Sequence, residues 1–226
     1  MSKLRNMDVV VVLAGEVILT PEIKRQLEGA DLVVAADGGA DRLGANGYLP
    51  DVLIGDLDSV SQDIRNKLIS CAVEIQRFPE AKDATDGELA ITEAIKRGAT
   101  SITILGSRGG PRADHELANL LLLADPRLEG IDVQLLTDTT IGRAVGPGQG
   151  MLDVKAGCTI SIIPISSVVR GVSMSGVRWP LTNRDLKLGS TLSVSNEAIN
   201  EQIRVDISSG KALIYWNLHS GNQNRH

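Results

Sequence analysis

The chain has few aromatic residues: among 226 residues, Trp179, Trp216, Tyr48, Tyr215 and Phe78 are the whole supply. Its core must therefore be aliphatic, and a nucleic-acid surface that stacks bases on aromatic rings is excluded for want of platforms. Positive charge is scarce as well. A net charge of −5 removes the electrostatic case for DNA binding. The two cysteines, Cys71 and Cys158, stand far apart and match no zinc spacing. Neither a disulfide framework nor a zinc centre is expected, and a reduced, cytoplasmic setting is. No apolar run reaches the roughly 18 residues of a membrane-spanning helix. The opening MSKLRNMD lacks the apolar region and cleavage site of a signal peptide. A G-x-G-x-x-G dinucleotide fingerprint and a Walker A sequence are both missing, which weighs against a dehydrogenase and a P-loop enzyme.

What remains is an ordinary folded composition, 42% hydrophobic and 23% charged, with a strong pattern. The first two-thirds alternate between apolar runs and amphipathic segments. Strands are predicted at Val9–Leu13, Leu32–Ala36, Val52–Ile54, Val73–Arg77, Ile102–Leu105 and Val133–Leu136. Helices are predicted at Pro21–Leu27, with Thr20 as N-cap, and at Ala40–Ala45, Ile64–Ile69, Thr85–Arg97 and Glu116–Ala124. Repeated β-α-β with short connections predicts a mainly parallel sheet flanked by helices. Beyond Gly142 the long helices stop. Short strands are predicted at Thr159–Ile163, Val168–Val172, Thr191–Val194, Ile203–Ile207 and Ala212–Trp216, the pattern of a small all-β sandwich. The Gly146–Gly150 stretch is the expected junction, giving domains 1–145 and 146–226 and leaving a polar tail, SGNQNRH.

Open α/β sheets bind ligands beyond the carboxyl ends of their strands, and four successive strand ends here carry unusual residues. They are Asp37-Gly38-Gly39, then Gly55-Asp56-Leu57-Asp58-Ser59, then Lys82-Asp83-Ala84-Thr85-Asp86, then Gly106-Ser107-Arg108-Gly109-Gly110-Pro111-Arg112-Ala113-Asp114-His115. Asp56 and Asp58, two apart on an extended backbone, point the same way, and paired carboxylates suit Mg²⁺. Each alone has a plainer reading. Asp58 or Ser59 could cap the next helix, and Asp83 and Asp86 could be first-turn helix carboxylates. A Gly-Gly turn between Arg108 and Arg112 is most often only a loop. Where such a loop opens a helix, however, it offers backbone N–H groups and guanidiniums to phosphate. His115 alone is more often structural than catalytic, and the tryptophans more often pack than bind.

Taken together these segments resemble the thiamin pyrophosphokinase family. AADGGADRL, PDVLIGDLDSV, KDATDGELAI and GSRGGPRADHELANLLLL carry the resemblance in the first part, and GVRWPLTNRDLKLGSTLSVSNEA carries it in the second. It implies a Rossmann-like α/β catalytic domain followed by a β-sandwich. It also implies a homodimer with active sites at the interface, and transfer of the pyrophosphoryl group of ATP to the thiamin hydroxyl, releasing AMP. By that resemblance Asp56, Asp58 and Asp86 would hold Mg²⁺, with Asp83 beside them, and Asp58 or Asp86 would take the hydroxyl proton. Asp37, Gly38, Gly39, Arg108, Gly109, Gly110, Arg112, Asp114 and His115 would handle the nucleotide. Ser195, Asn196 and Trp179 would meet thiamin. A diphosphokinase for another small alcohol, such as a hydroxymethyl pterin, and a nucleotide-sensing module are the competing readings. WPL and SNE favour thiamin over the first, and the density of carboxylates favours an enzyme over the second.

Overall fold

The computed structural model describes residues 6–79, 83–109 and 112–219. The chain falls into two compact units, Met1–Asp138 and Thr139–His226. The Lys82, Gly110 and Pro111 positions of the motifs and the SGNQNRH tail lie outside the described residues.

The first unit is a six-stranded parallel sheet. Its strands are β1 (Asp8–Val12), β2 (Leu32–Ala36), β3 (Val52–Gly55), β4 (Glu74–Arg77), β5 (Ser101–Leu105) and β6 (Asp132–Leu136), in the spatial order β6-β5-β1-β2-β3-β4. The continuous apolar runs become continuously buried strands: β2 and β3 are buried at every residue and β1 at all but Asp8. Adjacent side chains of a strand face opposite ways, so such runs need cover on both faces. Helices α1 (Pro21–Gly29), α2 (Gly39–Ala45), α3 (Gln62–Ser70), α4 (Asp86–Lys96) and α5 (Ala113–Leu121) follow successive strands. The Thr20 hydroxyl accepts from Ile23 N at 3.2 Å and Pro21 opens α1. Thr85 caps α4 through Glu88 N. The first three crossovers carry the chain outward from β1 to β4, and the fourth returns it to the other side of β1. The direction of winding therefore reverses between β1 and β5, the position where ligands enter such sheets.

The second unit is a sandwich of two antiparallel sheets. Strands β7 (Thr140–Val145), β8 (Gly148–Asp153), β9 (Thr159–Pro164), β10 (Val168–Ser175), β11 (Leu181–Lys187), β12 (Asn196–Glu197), β13 (Gln202–Ile207) and β14 (Ala212–Asn217) compose it. One sheet runs β12-β9-β14-β7 and the other β11-β10-β13-β8. Ile160, Ile162 and Ile214 from one sheet pack with Val172, Met174, Ile203 and Val205 from the other, with Trp216 at the edge of this core. The expected junction at Gly146–Gly150 falls inside this unit. Gly146 and Pro147 form the turn that passes the chain from β7 in one sheet to β8 in the other, and β7 pairs with β14 along its whole length. Thr191–Val194, expected as a strand, is a turn closed by Val194 N on Thr191 O at 3.1 Å. The short pairing segment is Asn196–Glu197, joined to β9. Among the described residues, no helix is long and apolar enough to cross a membrane.

Candidate active site

A cleft of about 660 Å³ opens in the first unit at the carboxyl ends of its central strands. Leu13, Ala14 and Gly15 border it after β1, Asp37 after β2, Asp56 and Asp58 after β3, and Ser107 and Gly109 after β5. Asp86 and Gly87 close it from the first turn of α4, and Arg112, His115 and Asn119 from α5 and its approach. Three of the four strand-end segments thus converge through their own loops, and the fourth does so through Asp86.

The acidic group is compact. Asp37, Asp56 and Asp58 each offer an oxygen within 4.8 Å of the other two. Asp86 Oδ1 and Asp37 Oδ1 both lie 3.3 Å from the position a Cβ would take on Gly55, which has φ +149° and leaves that space to the carboxylates. Gly39 answers a different constraint: a Cβ there would meet Val12 O at 2.1 Å, so only glycine lets α2 begin against the end of β1. Asp37 adopts φ +42°, a left-handed conformation that aspartate tolerates better than most residues. Its backbone N donates to Ile54 O at 2.8 Å, tying the end of β2 to β3.

Asp56 and Asp58 share the cleft for a reason other than an extended backbone. Leu57 has φ +71° and is buried, as is Val60, so the segment turns into the core between its carboxylates. The Asp56 Oδ1 accepts from Asp58 N at 3.1 Å, closing a local side-chain turn. Arg65, on α3, caps the turn from behind: Nε donates to Val60 O at 2.9 Å and Nη2 donates to Leu57 O. Neither Asp58 nor Ser59 caps the next helix; α3 begins at Gln62, and Ser61 N is satisfied by Asp41. Ser59 Oγ instead donates to Asp58 Oδ1 at 2.9 Å.

The cluster splits the carboxyls in character. Burial raises the Asp37 carboxyl above the usual aspartate range. Ser59 works against that, while the nearby charges of Asp58, Asp86 and Asp56 add to it. Hydrogen bonds from Ser59 and Asp56 hold Asp58 below that range. Asp37 Oδ1 is buried without a hydrogen-bond partner. Four carboxylates, one of them holding a buried, unsatisfied oxygen, are a donor set of hard oxygens, which fits Mg²⁺.

The remaining sequence candidates fall at different depths. Gly38 and Gly39 are buried at the start of α2. Gly109 borders the cleft with φ +90°; Gly110 lies outside the described residues. Exposed Arg112 forms a two-pronged ion pair with Asp114, Nε to Oδ1 at 2.9 Å and Nη2 to Oδ2 at 2.6 Å. That pairing pushes the Asp114 carboxyl far below the usual range. Arg108 points toward Asp138 at 3.9 Å and does not border the cleft. Asp83 is exposed and also stands outside it. His115 is exposed on the rim. Ser107 stands in the fourth strand-end segment without an assigned role, and the sequence gives no role to Ala14, Arg42, Arg65 or Asn119. Arg42 Nε donates to Ala14 O at 2.9 Å and holds the β1 loop at the cleft edge, a contact over 28 residues that no local pattern announces.

The second unit carries its own open cavity of about 590 Å³. It is lined by Trp179, Pro180, Leu181, Thr182, Arg184, Leu192, Val194, Ser195 and Asn196. Trp179 is 57% exposed, an unusual state for the largest apolar side chain. Asn196 is buried and pins it: Oδ1 accepts from Trp179 N at 3.1 Å and Nδ2 donates to Trp179 O at 2.7 Å. Arg178 lies over the indole at 5.5 Å and pairs with Glu197 at 2.9 Å. Ser195, with φ +62°, is fixed by its N on Ser161 Oγ at 3.0 Å.

Both units match known proteins. Residues 23–135 match the family described as "Thiamin pyrophosphokinase, catalytic domain", and residues 151–214 match "Thiamin pyrophosphokinase, vitamin B1 binding domain". Thiamine pyrophosphokinase of Bacillus subtilis (strain 168) is 29% identical over 201 residues, covering 88% of this chain and 94% of that protein. The crystal structure of the Bacillus subtilis enzyme superposes with a TM-score of 0.81 at 28% identity, over 93% of this chain and 99% of the other. That of thiamin pyrophosphokinase from Geobacillus thermodenitrificans does so with a TM-score of 0.79 at 27% identity, over 94% and 99%. The strand-end carboxylates, the arginine-bearing loop at α5 and the tryptophan cavity of the sandwich therefore lie in a chain that belongs to the thiamin pyrophosphokinase family, enzymes that transfer pyrophosphoryl from ATP to thiamin.

Proposed function

We propose that this chain carries out its family's reaction with the acidic cleft as the phosphate side and the tryptophan cavity as the acceptor side. The observation that carries the reading is the convergence of Asp37, Asp56 and Asp58 within 4.8 Å, beside Asp86, at the point where the sheet's winding reverses. The thiamin hydroxyl oxygen bonds to the β-phosphorus of ATP, the bond from that phosphorus to the α–β bridging oxygen breaks, and AMP leaves. The hydroxyl proton passes to a carboxylate. Asp58 and Asp86 both border the cleft, and either is placed to take it. Mg²⁺ bound by Asp56, Asp58 and Asp86, with Asp37 beside them, would neutralise charge on the β- and γ-phosphate oxygens.

The chain's own groups do the positioning. Arg112 exchanges Asp114 for phosphate, a stronger partner for a guanidinium fork. Gly109 lets backbone approach the polyphosphate closely. Trp179 offers its face to the cationic thiazolium, and Ser195 a hydroxyl to the pyrimidine. Asn196 acts by fixing Trp179. The protein works as a homodimer with each site drawing on both subunits. Helix α5 buries none of its residues and leaves Leu117 and Leu121 exposed, and Leu188, Leu192 and Val194 are exposed in the sandwich, apolar surface of the kind a second copy covers. A cytoplasmic setting accords with two unbonded cysteines, Cys71 and Cys158. Incubation with ATP, Mg²⁺ and thiamin, followed by chromatography, tests the reading. AMP and thiamin diphosphate should appear in equal amounts, and their absence would refute it.

A further inference from the structure

Ser107 is the first side chain past Gly106, the residue that follows β5, and it borders the acidic cleft. It is 1% exposed, and its hydroxyl has no hydrogen-bond partner. Its carbonyl, by contrast, is accounted for: Asn119 Nδ2 donates to it at 3.3 Å and holds the segment against α5. A buried hydroxyl left unpaired costs stability, and alanine would fill the same place without that cost. The residue is therefore explained by something that binds it.

We propose that the Ser107 hydroxyl donates a hydrogen bond to a phosphate oxygen of the nucleotide bound in this cleft. The proposal rests on the reading of the cleft as the ATP site. Ser107 borders the same cleft as Asp37, Asp56 and Asp86 on the one hand and Gly109 and Arg112 on the other, so a polyphosphate held there has it as a neighbour. The neighbouring carboxylates explain the choice of residue type. A lysine here would be paired off by Asp37, Asp56 or Asp86. A hydroxyl adds a donor without charge and with little side-chain entropy to lose.

The test compares wild type with Ser107→Ala and Ser107→Cys, the latter keeping the shape with a poor donor. Mg·ATP binding is measured by calorimetry without thiamin, and Tm is measured without ligand. Both variants should bind ATP about ten- to a hundredfold more weakly, the loss of one hydrogen bond to a charged acceptor, while KM for thiamin stays within about twofold. The ligand-free Tm of Ser107→Ala should hold or rise, a signature that a structural hydroxyl would not give. Unchanged ATP affinity in both variants, or a Tm lowered by several degrees, overturns the role of Ser107. Wild type that does not bind Mg·ATP at all overturns the ATP reading of the cleft, and the Ser107 role falls with it.

Discussion

At Asp37, stability and chemistry pull in opposite directions. Its carboxyl is buried against three other acids with one oxygen unpartnered, so its ionised form is disfavoured in the free protein. A carboxyl whose folded-state value is raised costs stability above its unfolded value, near pH 4, and this cost is present at neutral pH. Asp37→Asn keeps the shape and tolerates φ +42°. It should raise the ligand-free Tm by a few degrees at pH 7, on the scale of about 2–4 °C per kcal/mol for a chain of this size, while lowering turnover. A scan of Tm at pH 7 that shows a clear drop would contradict the picture of a strained acidic centre. Asp56→Asn and Asp58→Asn should each reduce kcat at least about a hundredfold, because each weakens charge neutralisation in the transition state. Both face a cleft rather than the core, so circular dichroism should report an intact fold. Arg112→Ala should raise KM for ATP more than for thiamin. Its ion pair with Asp114 is exposed, so its loss should leave Tm unchanged.

Among the elements, two devices place the reactive ends of helices and loops. The turn from Gly55 to Val60 is held by its buried Leu57 and Val60 and by Arg65 on α3. Arg65→Ala frees two carbonyls and should cost about 1–3 kcal/mol. Its mark is a fall in both Tm and kcat, with KM for thiamin nearly unchanged, since the Arg65 hydrogen bonds go to the turn and Arg65 does not line the tryptophan cavity. The second device anchors α4, whose first residue is Asp86. Buried Glu93 bonds Arg97 at 2.8 Å and Gln76 at 2.9 Å, and Arg97 reaches Glu74 on the edge strand β4 at 2.6 Å. Burial works against the Glu93 charge, yet Arg97 and Gln76 prevail and hold its carboxyl below the ordinary glutamate range. A depressed folded-state value stabilises above the unfolded value and loses that contribution as pH falls through the folded one. Wild type should therefore exceed Glu93→Gln in Tm at pH 7, with the gap closing below about pH 4. A gap that stays constant down to pH 3 would rule this network out as the source.

For the whole molecule, the proposed homodimer is open to a mixing test. Asp56→Asn lacks a working phosphate side and Trp179→Ala lacks a working acceptor side. If each site draws on two subunits, the two inactive variants should regain activity when mixed under conditions that allow exchange, approaching about a quarter of wild type for random pairing with one intact site per mixed dimer. Complete exchange, verified by mass spectrometry of mixed dimers, with no recovered activity would place each site within a single chain.

The sequence by itself determined the alternation of strands and helices, the cap at Thr20, and the chemistry at the strand ends. Those features depend on neighbours a few residues apart, which apolar runs and N-cap residues record directly. It also announced the change to an all-β unit after Gly142. It could not show that Thr140–Val145 belongs with that unit, because the partner strand lies some seventy residues on, nor that Thr191–Val194 turns although its composition reads as a strand. Asp56 and Asp58 were legible as a pair, but the reason they converge was not: a positive φ at Leu57 and an arginine eight residues on replace the extended backbone. Tertiary structure alone decided the return of β5 to the side of β1. That return brings Ser107 and the start of α5 to the same cleft as Asp37, and Asp86 lies against Gly55. Sheet order is chosen by the packing of whole β-α-β units over a shared core, and spacing along the chain carries no record of that choice.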